Sequence, residues 1–233
     1  MSSSICVVVP VYNEARFVSS ALAGLIAVMD EVGAPYRVLI VENGSTDGTA
    51  EAARRAAGDA AVEVCSLPGP DYGAAMRRGF LEASGDWVVN FDIDYYSAGF
   101  LRSVLSQPDD VDLVIGSKRD PGSRDRRPLL RRVATRVFNL LLRLVLGSGV
   151  SDTHGMKGFR AALVDDLAPK VVSTQDLFDT ELVVRAERAG YKIVEIPVAV
   201  EEIRSAKTSL VSRAPRTVAG MIRMRGILKK EGA

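Results

Sequence analysis

Short β-branched runs alternate with helical patterns over residues 5–91, and this rhythm constrains the fold more than any other feature. Strands are predicted at residues 5–11, 37–41, 62–65 and 87–91. Helices are predicted between them, at residues 15–30, 49–57 and 73–83. Such alternation predicts βαβ units and a parallel sheet, with ligands at the carboxyl ends of the strands. We therefore expect the loops after these strands to carry the chemistry.

The second half of the chain is less regular. A strand is predicted at residues 112–116, an arginine-rich loop at 121–127, helices at 129–146 and 176–189, a strand at 192–200 and a basic helix at 211–230. The helix at 129–146 is predicted to be amphipathic, with Leu, Val and Phe opposite a polar face of Arg132, Arg136, Asn139 and Arg143. A chain of 233 residues with 47% hydrophobic composition can form one α/β domain with a sizeable core.

The net charge of +1 hides a strong asymmetry. Residues 118–147 contain 9 Lys/Arg and 2 Asp/Glu, and residues 204–233 contain 8 and 1, so each segment carries a net charge of +7. A basic patch of this kind usually meets phosphates, nucleic acid or a lipid surface, although it can also be a solvated helix face. Only Phe138 interrupts the first segment with an aromatic ring, which disfavours nucleic acid.

Neither a membrane-spanning helix nor a secretory signal is predicted. No uncharged apolar stretch reaches about 18 residues, and the apolar run at 5–11 is short and lacks a positive flank. Cys6 and Cys65 lie in apolar, strand-like runs, which favours buried thiols over a disulfide or a metal pair. These features together favour a reducing, cytoplasmic location.

An acidic pair follows the fourth predicted strand. Asp92 and Asp94 emerge from the strand end on the same side, and Ile93 between them is expected to turn inward. Two carboxylates with few further protein ligands suit Mg²⁺ or Mn²⁺ that bridges two phosphates. Acidic pairs in loops are often only solvated or helix-capping, but the position after a βαβ series favours a metal site.

Two further motifs end the first and second strands: VVVPVYNE at residues 7–14 and VENGSTDGT at residues 41–49. Turn chemistry alone explains either one, because Asn-Gly and Asp-Gly form turns and Ser45 or Asp47 is a natural helix N-cap. At successive strand ends, however, the two motifs resemble the donor-site signatures of glycosyltransferase family 2. The resemblance covers roughly residues 5–210.

The resemblance implies the GT-A fold, with a Rossmann-like βαβ half, a mixed central sheet and C-terminal amphipathic helices. It divides a single domain into a nucleotide-binding half (1–94), an acceptor half (95–210) and a basic C-terminal helix (211–233). By residue match, the contacts to the nucleotide-sugar donor are Pro10, Tyr12, Glu14, Glu42, Asn43, Asp47, Gly73 and Asp92, and the metal ligands are Asp92 and Asp94.

This chain also departs from the family pattern. Glu42 and Asn43 stand where two aspartates are common, and Tyr72 replaces a frequent lysine. Tyr96 occupies a position where related mannosyltransferases carry a glutamine that helps to bind metal. The sequence therefore leaves open both the nucleotide (UDP or GDP) and the sugar.

Motifs at residues 116–118, 150–160, 178–182 and 195–198 resemble the branch that glycosylates polyprenyl (dolichyl) phosphate. By that match, the residues that hold the acceptor phosphate or the leaving diphosphate are Lys118, Arg119, Arg131 or Arg132, Asp152 and Lys157. The motif from Asp152 to Lys157 is one residue shorter than the family's. His154, the only histidine, is either a ligand in this loop or a structural donor.

Asp176 and Asp179 begin the predicted helix at 176–189, where many family members place a catalytic base. Either carboxylate could accept a proton from an acceptor hydroxyl, or could simply favour the helix dipole. A phosphate acceptor is already ionised at neutral pH and needs no strong base.

The sequence thus predicts an inverting, metal-dependent transferase that moves a hexose from a UDP- or GDP-sugar to a polyprenyl phosphate at the cytoplasmic membrane face. The helices at 129–146 and 211–230 would bind the leaflet peripherally, or else pack on the core. The alternative acceptor is a hydroxyl of a soluble compound. The acidic pair argues against a non-catalytic binder, and the lack of a Gly-rich loop with an early Lys or Arg after the first strand argues against a nucleotidyltransferase.

Overall fold

The computed structural model describes residues 3–58, 61–117, 124–125, 129–150, 155–200 and 210–231. Its strands are β1 (Ile5–Val11), β2 (Tyr36–Glu42), β3 (Val62–Ser66), β4 (Trp87–Asn90), β5 (Leu113–Ser117), β6 (Arg124–Asp125), β7 (Lys157–Arg160), β8 (Ile193–Pro197) and β9 (Ala199–Val200). Its helices are α1 (Val18–Val32), α2 (Thr49–Ala57), α3 (Tyr72–Glu82), α4 (Ala98–Leu105), α5 (Leu129–Leu146), α6 (Ala161–Leu167), α7 (Phe178–Arg188) and α8 (Leu210–Glu231).

The main sheet has seven strands in the order β3-β2-β1-β4-β7-β5-β8, and β6 pairs with β9 separately. All neighbours in the main sheet are parallel except at β7, which runs antiparallel to both β4 and β5. The predicted mixed α/β sheet is therefore confirmed. Because β1, β2 and β4 are parallel, the loops that follow them emerge at the same edge, which we call the carboxyl edge.

Helices cover both faces of the sheet, which explains why β1 is a continuous apolar run rather than an alternating one. Ile5, Val7 and Val9 pack with α1, α2 and α4 on one face. Cys6 and Val8 pack with α3, α6 and α7 on the other. Cys6 is a buried free thiol, as predicted, whereas Cys65 is also free but only half-buried.

Helices α5 and α8 form a third layer on α7. Leu142 and Leu146 of α5 pack with Met221, Met224 and Leu228 of α8 in one buried cluster. Farther along α7, buried Arg185 donates hydrogen bonds to both Glu231 (2.6 and 3.1 Å) and Glu181 (2.7 Å). This chain of charged groups ties the last turn of α8 to α7. No helix among the described residues is long and apolar enough to cross a membrane.

The predicted polar face of α5 is wrong at Asn139. That side chain is buried, while the exposed apolar residues of α5 form a row: Val133, Val137, Leu140 and Leu144. Arg136 and Arg143 are exposed, as expected. Helix α5 is therefore apolar on two sides. The side that carries Leu142 packs against α8, and the row of exposed apolar residues on the opposite side faces outward.

Candidate active site

The loops that follow β1 and β2 are bonded to each other. The backbone N–H of Asn13 donates to Ser45 Oγ at 2.9 Å, and the backbone N–H of Thr46 donates to Asn13 Oδ1 at 3.0 Å. The backbone N–H of Glu14 donates to Thr49 Oγ1 at 2.8 Å. Asn13 adopts a left-handed conformation with φ 53°, which asparagine tolerates better than most residues. The two predicted donor-site motifs therefore form one structural unit.

Asp47 completes this unit from the start of α2. Its Oδ2 accepts from the backbone N–H of Ala15 at 3.1 Å, and its Oδ1 accepts from the backbone N–H of Thr49 at 3.1 Å. Partial desolvation acts to raise the pKa of the Asp47 carboxyl, but hydrogen bonds from the Thr49 hydroxyl and these N–H groups outweigh it. The pKa of Asp47 therefore lies below its ordinary value, and the carboxylate is charged at neutral pH.

Glu42 and Asn43 are both buried at the end of β2. The Glu42 carboxylate accepts from the backbone N–H of Ser45, so it shapes its own loop. Asn43 Oδ1 accepts from the backbone N–H of Asp71 at 2.7 Å. Tyr12, by contrast, is 42% exposed. Of the predicted donor contacts, Tyr12 and Asp47 are open to solvent, whereas Glu42 and Asn43 hold the loops in place.

Asp92 and Asp94 follow β4 at the carboxyl edge. Asp92 is exposed and Asp94 half-buried, while Phe91 and Ile93 are buried and anchor the segment. The backbone N–H of Tyr95 donates to the Asp92 carbonyl at 3.0 Å and closes a tight turn. Ile93 turns inward, as predicted.

This acidic pair fits a divalent cation. Its carboxylate oxygens are the ligands that Mg²⁺ and Mn²⁺ prefer. Among the described residues, no group of three or more His, Cys, Asp or Glu side chains is placed to hold a metal ion. Asp92 and Asp94 are therefore the described residues that would hold such a cation, and phosphates and water would have to supply its other ligands.

Tyr96 packs on α1. A Cβ placed on Gly24 of α1 would lie 2.2 Å from the Tyr96 hydroxyl oxygen, so a larger residue at position 24 would force this side chain to shift. Burial raises the pKa of Tyr96. A tyrosine held against α1 fills a structural position, which is consistent with its departure from the glutamine of the related mannosyltransferases.

Lys157 and Asp179 form a buried ion pair on the α7 side of the sheet. Lys157 lies opposite Asn90 in the β4–β7 pairing, and its Nζ donates to Asp179 Oδ2 at 3.1 Å and to the Gly155 carbonyl at 2.8 Å. Neither Asp179 Oδ1 nor Asn90 Oδ1 accepts a hydrogen bond from a described residue. The structure thus brings Lys157 and Asp179 together beneath the carboxyl edge, with two buried oxygens beside them.

Several predicted residues cannot be placed in this geometry. Lys118, Arg119, Asp152 and His154 lie outside the described residues. For Arg131, Arg132 and Asp176 the description covers the backbone only: the two arginines begin α5, and Asp176 lies in a 3₁₀ turn, Gln175–Leu177, before α7.

Sequence reasoning missed the hydrogen-bonding roles of Ser45, Thr49 and Asp71. Ser45 and Thr49 belong to a recognised motif, but their bonds cross to the loop after β1, which a local pattern does not reveal. Asp71 carried a local signal, because an aspartate just before a helix is a preferred N-cap. It caps α3 by accepting from the backbone N–H of Ala74 at 2.9 Å.

A helix-covered, mostly parallel sheet with two carboxylates after β4 agrees with the GT-A fold that the motifs imply. The sequence model described as "Glycosyl transferase family 2" matches residues 6–167. The chain therefore belongs to glycosyltransferase family 2, as the motifs predicted.

Sequence relatives agree with this assignment. Glycosyltransferase AglD of Haloferax volcanii is 32% identical over 225 residues, covering 93% of this chain but only 35% of AglD, so the chain spans about a third of that relative. An uncharacterized glycosyltransferase of Mycobacterium tuberculosis is 35% identical over 197 residues, covering 84% of each chain.

Solved structures share the fold at lower identity. Glucosyl-3-phosphoglycerate synthase from Mycobacterium tuberculosis, in complex with Mn²⁺, UDP-glucose and phosphoglyceric acid, has a TM-score of 0.71 at 21% identity over 96% of this chain and 80% of its own. Mannosyl-3-phosphoglycerate synthase from Rubrobacter xylanophilus has a TM-score of 0.69 at 20% identity over 99% and 75%.

Proposed function

We propose that this glycosyltransferase is a metal-dependent hexosyltransferase that uses a UDP- or GDP-sugar. The observation that carries the proposal is the position of Asp92 and Asp94 beside the bonded loops after β1 and β2. Tyr12 and Asp47 are exposed in those loops and offer an aromatic face and a carboxylate to a nucleoside. The Mn²⁺ and UDP-glucose bound by the structurally similar glucosyl-3-phosphoglycerate synthase support this choice of donor and metal.

The proposed reaction is a single inverting displacement. An acceptor oxygen attacks the anomeric carbon, the bond from that carbon to the diphosphate breaks, and the diphosphate leaves from the opposite face. Mg²⁺ or Mn²⁺ on Asp92 and Asp94 would supply positive charge against the leaving diphosphate. The chain's own contribution is alignment, through loops that are held together by hydrogen bonds between their own groups.

For the acceptor, the comparisons favour a soluble hydroxyl compound over a polyprenyl phosphate. The two fold neighbours described above are synthases of glucosyl- and mannosyl-3-phosphoglycerate, and one of them is in complex with phosphoglyceric acid. A hydroxyl acceptor needs a base. Asp179 is 3% exposed and paired with Lys157, so Asp176 in the neighbouring 3₁₀ turn is the better candidate for that role.

A polyprenyl phosphate acceptor has one specific observation in its favour. The exposed row Val133, Val137, Leu140 and Leu144 lies on a helix that also carries arginines and no acidic residue. Such a surface suits peripheral contact with an anionic leaflet on the cytoplasmic side. Both acceptors carry a phosphate, so we propose that the acceptor group beside the donor is phosphorylated. We further propose that residues 95–210 form the acceptor half, next to a nucleotide-binding half at 1–94 and a basic helix at 211–233.

Donor and metal are tested by thermal shift with UDP, GDP and their glucose and mannose conjugates, with and without Mn²⁺. One nucleotide should raise the melting temperature, and Mn²⁺ should enlarge the shift. If neither nucleotide gives a shift or any sugar transfer or hydrolysis, the proposed function is wrong.

Acceptors are then compared directly. The preferred nucleotide sugar is incubated with 3-phosphoglycerate, with a short-chain polyprenyl phosphate, and with glycerol as an unphosphorylated control. Asp176→Asn should abolish transfer to a hydroxyl acceptor and leave transfer to a polyprenyl phosphate unchanged. Equal transfer to glycerol and to both phosphorylated acceptors would contradict a phosphorylated acceptor.

A further inference from the structure

One carboxylate joins three segments at the carboxyl edge. Asp71 Oδ1 accepts from the backbone N–H of Ala74 and from the backbone N–H of Gln175, each at 2.9 Å. The backbone N–H of Asp71 in turn donates to Asn43 Oδ1 at 2.7 Å. The loop after β2, the start of α3 and the turn before α7 are therefore connected through a single residue, although Asp71 and Gln175 are 104 positions apart.

Backbone packing reinforces the same connection. A Cβ on Gly73 would lie 2.5 Å from the nitrogen of Gln175 and 2.6 Å from the carbonyl carbon of Thr174, so any larger residue displaces that turn. Gln175 itself has φ 55°, a conformation that a non-glycine residue keeps only when its surroundings hold it. The hydrogen bond to Asp71 and the contact with Gly73 both constrain Gln175 directly.

We propose that Asp71 is a positioning residue that sets the acceptor side of the site relative to the nucleoside loop. Gln175 is followed directly by Asp176 and by α7 with Asp179, the residues considered as acceptor bases. Asn43 belongs to the loop that the donor is proposed to contact. The inference rests on the proposed function, and it means that Asp71 sets the distance between the sugar donor and the acceptor.

The two sides of this connection respond differently to substitution. Asp71→Ala removes the acceptor for Ala74 and Gln175 but keeps the backbone N–H that binds Asn43, so the donor loop retains its contact. We expect the KM for the nucleotide sugar to change by less than about twofold and the turnover of transfer to fall by about tenfold. Asp71→Asn keeps an acceptor oxygen at the same place and should restore most of the turnover.

The test combines kinetics with hydrogen exchange of the peptide that spans residues 172–177. Asp112→Ala is the matched control, because Asp112 is also half-buried and accepts from a backbone N–H, that of Lys192 at 2.8 Å, at the opposite edge of the sheet. Asp71→Ala and Gly73→Ala should speed exchange in this peptide by about tenfold, and Asp112→Ala should not. If Asp71→Ala does not fold, Gly73→Ala is compared with Asp71→Asn instead. Exchange should be faster in Gly73→Ala than in Asp71→Asn, which keeps the acceptor oxygen.

Equal exchange in the Asp71→Ala and Asp112→Ala proteins would overturn the proposal, as would a donor KM that rises as much as turnover falls. The exchange measurement needs no activity. A wild-type protein that transfers no sugar therefore refutes the proposed function, while the exchange of residues 172–177 still decides whether Asp71 holds the turn.

Discussion

At the scale of single residues, the site separates into buried side chains that build loops and side chains that are partly or fully exposed. Glu42 and Asn43 are buried and used by neighbouring backbone N–H groups. Asp92 is exposed and Asp94 is half-buried at the end of β4. A substitution at the acidic pair should therefore affect chemistry more than folding, whereas a substitution at Glu42 or Asn43 should affect both.

Asp94→Asn should lower kcat/KM for sugar transfer by about 100-fold or more, because it removes negative charge from the proposed cation site. The melting temperature should change little, since Asp94 is only half-buried. Asp109→Asn serves as the control, because Asp109 is fully exposed on a different loop. Activity that survives Asp94→Asn at saturating Mn²⁺ would contradict a metal role for this residue.

Asp47 should make stability depend on pH. Its pKa is lowered in the folded protein, so its charged form stabilises the fold above the unfolded-state pKa, and this contribution is lost as pH falls through the folded pKa. Asp47→Asn should therefore be less stable than the wild type at pH 7, and the difference should shrink towards about pH 3. The urea midpoints of both proteins across that pH range measure the difference in stability. A difference that does not change with pH would contradict the charge-dependent role of Asp47.

At the scale of helices and strands, the sequence predicted most of the first half because its signals are local. The βαβ rhythm located β1 to β4 and α1 to α3 within about three residues at each end. It did not predict β7, since four residues of mixed polarity have no strand pattern and their pairing with β4 is set by tertiary contacts. Helices α4 and α6 were missed as well, because neither reaches three full turns.

In the candidate site, too, the features with a local sequence signal were predicted and those that depend on tertiary packing were not. Motifs located Asp92, Asp94 and the two loops, because strand ends and turn residues are visible in the sequence. The burial of Asn139 and the Lys157–Asp179 pair could not be predicted, because both depend on which helix packs where.

Two glycines inside helices should respond to alanine in opposite ways. A Cβ on Gly79 of α3 would lie 2.3 Å from Val8 Cγ1 of β1, while one on Gly226 of α8 would meet nothing within 4 Å. Gly79→Ala should destabilise the protein by about 1–3 kcal/mol through overpacking. Gly226→Ala should stabilise it by about 0.5–1 kcal/mol through helix propensity. Denaturant unfolding of both variants provides the check, and changes of the same sign would contradict this account of the two helices.

At the scale of the whole molecule, charge and exposed apolar surface coincide on the α5–α8 layer. Helix α5 contains four Arg and no acidic residue, α8 contains six Lys or Arg and one Glu, and four of the large exposed apolar residues of the described structure lie on α5. The remaining surface balances this charge, since the net charge of the chain is only +1. We therefore expect the α5–α8 layer to be the part of the described structure that contacts an anionic surface.

Leu140→Ser combined with Leu144→Ser should weaken binding to vesicles that contain anionic lipid by about tenfold or more, because both side chains are exposed on the α5 row. Leu81→Ser combined with Val172→Ser is the matched control, since these residues are also exposed but lie elsewhere. Co-sedimentation at low and high salt measures the binding. If the wild type does not bind vesicles, the exposed row on α5 does not contact lipid. If only the α5 variant disrupts a dimer of this chain, the row contacts a second copy instead.

The reversed strand β7 has a consequence for how the chain can be divided. β4 pairs with β1 on one side and with β7 on the other, and β7 begins at Lys157. A fragment that stopped after Asp94 would contain every predicted nucleoside contact, yet it would leave one side of β4 with unpaired backbone groups. Open edges of this kind recruit other chains, so such a fragment should aggregate. During synthesis of the full chain the same edge stays open until residues 157–160 emerge and pair with β4.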